Sequence, residues 1–481
     1  MEHISGKPRD QLILFPEAIE DYITEDNSVR FIDVFVDGLD TISLGFEHAI
    51  LKETGRPPFN PKDLLKLYLY GYLNRIRSSR LLEREAKRNL EVMWLLNHLV
   101  ADHKSISDFR RHNNKAIRGV FKEFYLICKQ LGLYGGELVA IDSSKFKASN
   151  ARDKILDKEK LEKRIIKIEE SIEMYLKELD ENDKTETNDK AITKEELDKK
   201  IDLLKKKKIQ LEKAEEDLLK STEEYISLTD SNCRLIKDKN GIEPSYRMQT
   251  AADAKYSMIL DNLMTEDAAD NNHLSEMAIK SKEALEVEEL TVATDAGYFD
   301  GTEIKECEDN KITVYVPIPK PKISSKTNIP EEQYQYDKFV YNELADTYSC
   351  PEGEKLIYKR TDKKNGKDIR IYGTDKCGSC INKNKCTLSP RGRQIHRWEH
   401  AEVIDRLKKR LDEKPEIIKR RKAIIEHIFG TIKKIWNYYG LQLRGLKNVS
   451  TEADLMCLTY NIRRALTIVG TKNLIMALQT A

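Results

Sequence analysis

ELVAIDSSKFKASNARD, residues 137–153, runs from an apolar strand straight into an aspartate and then turns polar. Val139, Ala140 and Ile141 suit a buried strand, and Asp142 stands at its end, followed at once by Ser143, Ser144 and Lys145. A carboxylate leaving a core strand is costly unless a partner, often a cation, meets it. The plain reading is an N-cap or turn aspartate. The sharper reading is a metal ligand, and it requires further carboxylates elsewhere in the chain.

A second stretch repeats the pattern. ELTVATDAGYFDGTEI (289–304) carries an apolar strand, Asp295 at its end, and then Gly297. Between the two lie SYRMQTAADAKYSMILDNLMTED (245–267), two β-rich runs around a turn, and the helical NNHLSEMAIKSKEAL (271–285). KITVYVPIPKPK (311–322) adds a strand stopped by prolines. Strands alternating with helices predict an α/β core with a mixed sheet. A third carboxylate sits in KPEIIKRRKAIIEHIFGTIKKIWNYYGLQLRG (414–445), a helix that Pro415 starts and whose apolar face is Ile417, Ile418, Ile424, Ile425, Ile428 and Ile432. Glu426 rides that helix with Lys422 and Lys433 near the same face, an arrangement that also serves surface ion pairs. Trp436, Tyr438 and Tyr439 just beyond it either stack on a displaced base or pack in the core. Two carboxylates leaving core strands and one on a basic helix follow the order of a two-metal phosphoryl-transfer site, whose hard oxygen ligands favour Mg²⁺ or Mn²⁺.

Net charge over 481 residues is only +1, but the charge is segregated. Residues 51–135 hold 17 Lys/Arg against 8 Asp/Glu, a net of +9, and residues 402–448 hold 13 against 6, a net of +7. Such segments suit either a polyanion, nucleic acid above all, or a solvated surface. The first of them reads as a helical bundle. A helix starts at Asn60-Pro61, a basic interruption follows at NRIRSSRLLEREAKR with Arg75, Arg77 and Arg80, and a further helix is capped by Ser105 or Ser107. The bundle serves DNA binding or dimerisation. Leu161, Ile165, Ile168, Ile172, Leu176 and Leu179 form one coiled-coil seam, and Leu197, Ile201, Leu204, Leu211 and Leu218 another, which predicts an inserted helical hairpin. Thr193 and Glu196 fit a capping box at the start of its second helix.

Cys350, Cys377, Cys380 and Cys386, with one CxxC pair, suit a tetrahedral structural zinc site or four free thiols. Cys128, Cys233, Cys307 and Cys457 read as small core residues, and His396 and His400, one helical turn apart, as surface. No apolar run is long enough to span a bilayer and the N-terminus lacks a secretory pattern, so a cytoplasmic protein with no membrane partner is expected.

VAIDSSKFKASNARD, VATDAGYFDG and IIEHIFGTIKKIW, taken with GRPPFNPKDLLKLYLYGYLNRIRSSRLLERE and DHKSISDFRR, resemble the motifs of bacterial insertion-sequence transposases of the DDE type. The likeness runs in consistent order from about residue 10 to about residue 465. It implies an RNase H-like core with Asp142, Asp295 and Glu426 as the catalytic triad on two Mg²⁺ or Mn²⁺ ions. It also implies DNA cleavage at the element's terminal inverted repeats, strand transfer into target DNA, and a homodimer in the DNA complex. The family's helix pattern of Tyr, Arg, Glu and Lys leaves Glu426 and Lys433 here, with Lys422 at the arginine position, Lys419 at the tyrosine position and Arg421 one residue off. Lys145, Arg421, Lys422, Lys433, Arg75, Arg77 and Arg80 are the expected DNA contacts. The expected organisation is a helical domain at 1–135, core segments at 136–153, 223–325 and 393–481, a coiled-coil hairpin at 154–222 and a Cys-rich zinc insertion at 326–392. A metal-dependent nuclease on the same fold, and a non-catalytic DNA-binding or scaffold protein derived from a transposase, are the competing readings.

Overall fold

The computed structural model describes residues 18–51, 53–54, 57–184, 194–220, 224–238, 241–319, 331–364 and 366–480. They fall into two compact units, one made of the chain up to Gly135 with Asp142–Ala268 and Ile424–Ala481, the other of Gly136–Ile141 and Ala269–Ala423. Strand β1, Leu138–Lys147, belongs in part to each.

In the first unit, the helix Pro61–Leu73 is buried almost all round, as a helix apolar on every face must be. Asn60 caps it, its Oδ1 accepting from the Lys62 amide at 2.9 Å, and Pro61 occupies the first turn. Gly71 lets the chain turn sharply behind this helix, because a Cβ there would lie 2.5 Å from the Ile76 carbonyl oxygen and 2.6 Å from the Leu82 side chain. The helix His103–His112 is capped by Asp102, which accepts from the Lys104 and Ser105 amides at 3.0 Å each, and not by Ser105 or Ser107. A carboxylate one residue ahead of the helix reaches two orphan amides at once, which a serine inside the first turn does not. The long helix Leu446–Val469 passes through this unit and packs on both the helix Asn114–Gln130 and the strand Ile259–Thr265.

The strands of this unit are β2 (Arg234–Asp238), β3 (Gly241–Asp253) and β4 (Ile259–Thr265). β2 and β4 both run antiparallel to β3, and β1 is the next neighbour of β3. From its base, Ile155–Asp157 paired antiparallel with Tyr225–Ser227, rise two helices of 27 residues each, Lys158–Lys184 and Lys194–Lys220. Leu161, Leu197, Ile201, Leu211 and Leu218 are buried as the seam requires, while Leu176 stays exposed. Lys208, which interrupts the seam, turns its ammonium to Glu169 of the other helix at 2.6 Å. Thr193 of the expected capping box lies outside the described residues.

In the second unit, β1 starts beside β5 (Leu290–Ala293), and β5 lies beside β6 (Ile312–Tyr315), all parallel. Helices Leu274–Leu285 and Gly301–Asp309 precede and follow β5. Buried on both faces, such strands read as unbroken apolar runs, which explains LVAI and LTVA. A separate antiparallel sheet of five strands runs from Val340–Asn342 to Gln394–Trp398. His396 lies in its last strand, so His396 and His400 are not a helical pair; HRWEH carries no feature that distinguishes strand from helix. Among the described residues no helix is long and apolar enough to cross a membrane.

Candidate active site

β1 is buried from Leu138 to Ile141 and half-exposed from Asp142 to Lys145. The strand thus crosses out of the core at the aspartate, whose Oδ1 accepts from the Ser143 amide at 2.8 Å. The Ser143 hydroxyl accepts from Arg247 at 3.0 Å, and the same guanidinium donates to the Ala268 carbonyl at 2.9 Å, which fixes the strand end against β3.

Glu426 belongs to the same unit as Asp142. Its helix, Glu416–Phe429, buries Ile424, Ile425 and Ile428 and leaves Glu426 exposed. One π-turn, Gly430–Ile435, continues it, a local widening that recurs at functional positions. Lys433 on that turn lies 4.5 Å over the Phe146 ring and donates to the Lys145 carbonyl. The chain then runs beside Lys147, whose amide donates to Tyr439 at 3.0 Å and whose carbonyl accepts from Leu441 at 2.8 Å. The glutamate's helix and the aspartate's strand are therefore tied together within a few residues of Asp142. Arg421 is half-buried and Lys422 exposed on the same helix. Trp436 and Tyr438 are core residues, while Tyr439 is exposed.

Asp295 stands in the second unit, just past β5. It caps the short turn Ala296–Tyr298, accepting from the Gly297 amide at 2.8 Å. In the parallel register Ala140 pairs with Ala293, so Asp142 and Asp295 each follow a paired alanine by two residues. A Cβ at Gly297 would lie 3.0 Å from Asp295 Oδ1 and 3.5 Å from Asp270 Oδ2, so a second carboxylate, missed in the sequence, flanks this turn. The only signal for Asp270 is its place in the acidic EDAAD run, which composition does not separate from a solvated loop.

The basic trio of the N-terminal bundle divides. Arg75 and Arg80 are exposed. Arg77 turns inward: it donates to the Glu452 carboxylate at 2.8 Å and to the Gly440 carbonyl at 2.9 Å, and stacks on Tyr438 at 4.1 Å. Its charge is paired within the fold. No local signal marks this pairing, because the partner lies 375 residues away.

Cys350, Cys377, Cys380 and Cys386 line one cavity of about 30 Å³. Burial pushes the Cys386 thiol up; the Arg393 guanidinium opposes this, and the three neighbouring sulfurs add to it. Four soft sulfur donors lining one small cavity suit a zinc ion by donor type. Asp142, Asp295 and Glu426, by contrast, are hard donors suited to a divalent cation such as Mg²⁺. Among the described residues no three His, Cys, Asp or Glu are gathered closely enough to hold a metal ion as they stand. Cys128, Cys233, Cys307 and Cys457 are buried core residues, as expected.

Two family models match the chain. The family described as "Transposase domain (DUF772)" matches residues 17–112, which include Arg75, Arg77, Arg80 and the DHKSISDFRR segment. The family described as "Transposase DDE domain" matches residues 349–466, from the cysteine cluster through Glu426 and Lys433. No curated protein matches. A solved structure, the cryo-EM structure of a piggyBac transposase synaptic complex with hairpin DNA, aligns over 94% of this chain and 80% of its own at 9% identity. Its TM-score of 0.29 is too low to bear on the fold. Matches to a transposase domain towards one end and to a transposase DDE domain towards the other support a DDE-type transposase.

Proposed function

We propose that this transposase cleaves DNA at the ends of its element and joins the freed 3′ ends to target DNA, with Asp142, Asp295 and Glu426 as the catalytic carboxylates. The observation that carries the assignment is the register: Ala140 pairs with Ala293 on parallel strands, and each is followed two residues later by an aspartate at the point where its strand ends or leaves the core. Neighbouring strands lie about 4.8 Å apart, which suits two carboxylates that share one ion. The pairings support an RNase H-like core, with antiparallel partners β2–β4 gathered about β3 on one side of β1 and parallel β5 and β6 on the other. Residues 154–222 and 326–392 are then insertions into that core, and 1–135 is the domain that binds the terminal repeats.

Divalent ions held by the three carboxylates would supply Lewis-acid stabilisation at the attacked phosphate. The chain's own residues position and neutralise. Lys433 braces the strand end through the Lys145 carbonyl, and the exposed Lys422 adds positive potential beside Glu426. Cys350, Cys377, Cys380 and Cys386 would hold a structural zinc ion. Joining two element ends in one complex requires at least a homodimer.

The test is a strand-transfer assay with a labelled element end, a supercoiled target and Mg²⁺ or Mn²⁺. Joined products are expected from the wild type. Asp142→Asn, Asp295→Asn and Glu426→Gln should each lower them roughly a thousandfold or more, about 4 kcal/mol of barrier, with DNA binding retained. Cut but never joined products would instead show a nuclease, and metal-dependent binding without cleavage a scaffold.

A further inference from the structure

A groove of about 360 Å³ in the first unit, with none of the three carboxylates in its lining, is lined by Ser107, Arg111, Ser149, Gln442, Arg444 and Asn448 with one leucine. It joins three stretches: the helix His103–His112, the segment just past β1, and the loop before the helix Leu446–Val469. Its lining holds two guanidinium groups and not one carboxylate. Among the described residues, Arg444 donates through its Nε to the Ser149 carbonyl at 2.8 Å, which sets the plane of the guanidinium. Arg111 lies 3.8 Å from Asp108, beyond hydrogen-bond distance, and its side chain is well exposed. The Asn448 side chain bonds the Arg444 carbonyl at 2.9 Å, which steadies the loop. The amides of Gly445 and Leu446 are already taken by Asp230 and Asn232, so the attraction for an anion comes from the arginines and not from the helix end.

We infer that this groove holds the phosphodiester backbone of duplex DNA, with Arg111 and Arg444 each on a phosphate and Ser107, Ser149 and Gln442 as neutral donors beside them. Arginine forks match phosphate oxygens, and Ser, Asn and Gln side chains are the other regular backbone contacts. The groove lacks the apolar and aromatic walls that a small-molecule site needs. The inference rests on the transposase reading and extends it: it joins the N-terminal helical domain and the strand that carries Asp142 in one contact that positions DNA without reading its sequence.

The experiment is fluorescence anisotropy of the full chain with a labelled duplex of about 25 base pairs and arbitrary sequence, over a series of salt concentrations. Removing two phosphate contacts should make the slope of log K against log salt shallower by about 2, and weaken binding roughly tenfold or more at low salt. Arg111→Ala with Arg444→Ala is the direct variant. Because Arg444 also braces the loop, Ser107→Asp is the second, adding repulsion while removing no bond within the protein. Weakened binding by both, on duplexes of unrelated sequence, is the expected result. Wild-type affinity and slope in both overturn the groove while leaving the transposase reading in place. Inorganic phosphate binding that both variants lose while their duplex binding stays at the wild-type level would show a small-anion site and overturn the DNA assignment. A wild type that binds no duplex at all overturns the transposase reading and the groove with it.

Discussion

Glu452 is fully buried, and its carboxylate accepts from the Gln442 and Leu443 amides as well as from Arg77. Removing one partner of such a pair strands the other charge in the interior. Glu452→Ala should therefore cost about 3–5 kcal/mol in urea unfolding, and a loss below about 1 kcal/mol would show the pair to be incidental. Asp300 supplies a pH-dependent case. It caps the helix Gly301–Asp309 through the Thr302 amide at 2.7 Å and pairs with Lys367 at 3.0 Å. Burial works to raise its pKa, but the Lys367 hydrogen bond and charge and the Thr302 and Glu303 amides outweigh it, and the carboxyl ends below its ordinary value. A depressed carboxylate contributes stability that is present above the unfolded value, near pH 4, and is lost as pH falls through the lower folded value. Asp300→Asn, which keeps a cap but no charge, should flatten the fall of the urea midpoint below about pH 4, whereas Asp300→Ala should cost about 1 kcal/mol at neutral pH as well. An unchanged acid limb in the asparagine variant would contradict this.

The elements show what can be read from residues alone. The strands that carry Asp142 and lead to Asp295 were legible because buried parallel strands are unbroken apolar runs, although the first runs on to Lys147 and does not end at Asp142. The glutamate helix was legible because Ile424, Ile425, Ile428 and Ile432 repeat at helical spacing. Asp102 displaced the serines as cap because capping is decided by side-chain reach, and all three residue types cap well. The pairing of Arg77 with Glu452 was not legible, because a basic side chain near a turn looks the same whether it meets solvent or a buried glutamate far along the chain. The four cysteines were legible as a group of sulfurs around a β-rich polar stretch, and the pairing of that stretch into a sheet of five strands was not, since polar strands carry no apolar alternation to mark their edges. At this scale the zinc proposal makes its own prediction. Purified protein should carry one zinc ion per chain by elemental analysis. Cys380→Ser should lose most of it and raise protease sensitivity between residues 331 and 398. Metal-free protein with an unchanged digestion pattern would leave four free thiols.

At the scale of the whole molecule, Asp142 and Glu426 belong to one compact unit and Asp295 to the other. The three carboxylates are not gathered into a metal site among the described residues, so the proposal that they act together is the central claim. Register, the tie between Lys433 and the Lys145 carbonyl, and the two transposase domains all support it. The measurement that tests it most directly is a crystal structure of the complex with element-end DNA, soaked in Mn²⁺ and measured at the manganese absorption edge. The account predicts two anomalous peaks roughly 3.5–4 Å apart, ligated by Asp142, Asp295 and Glu426. Manganese bound elsewhere, or aspartates pointing into separate clefts, would contradict it.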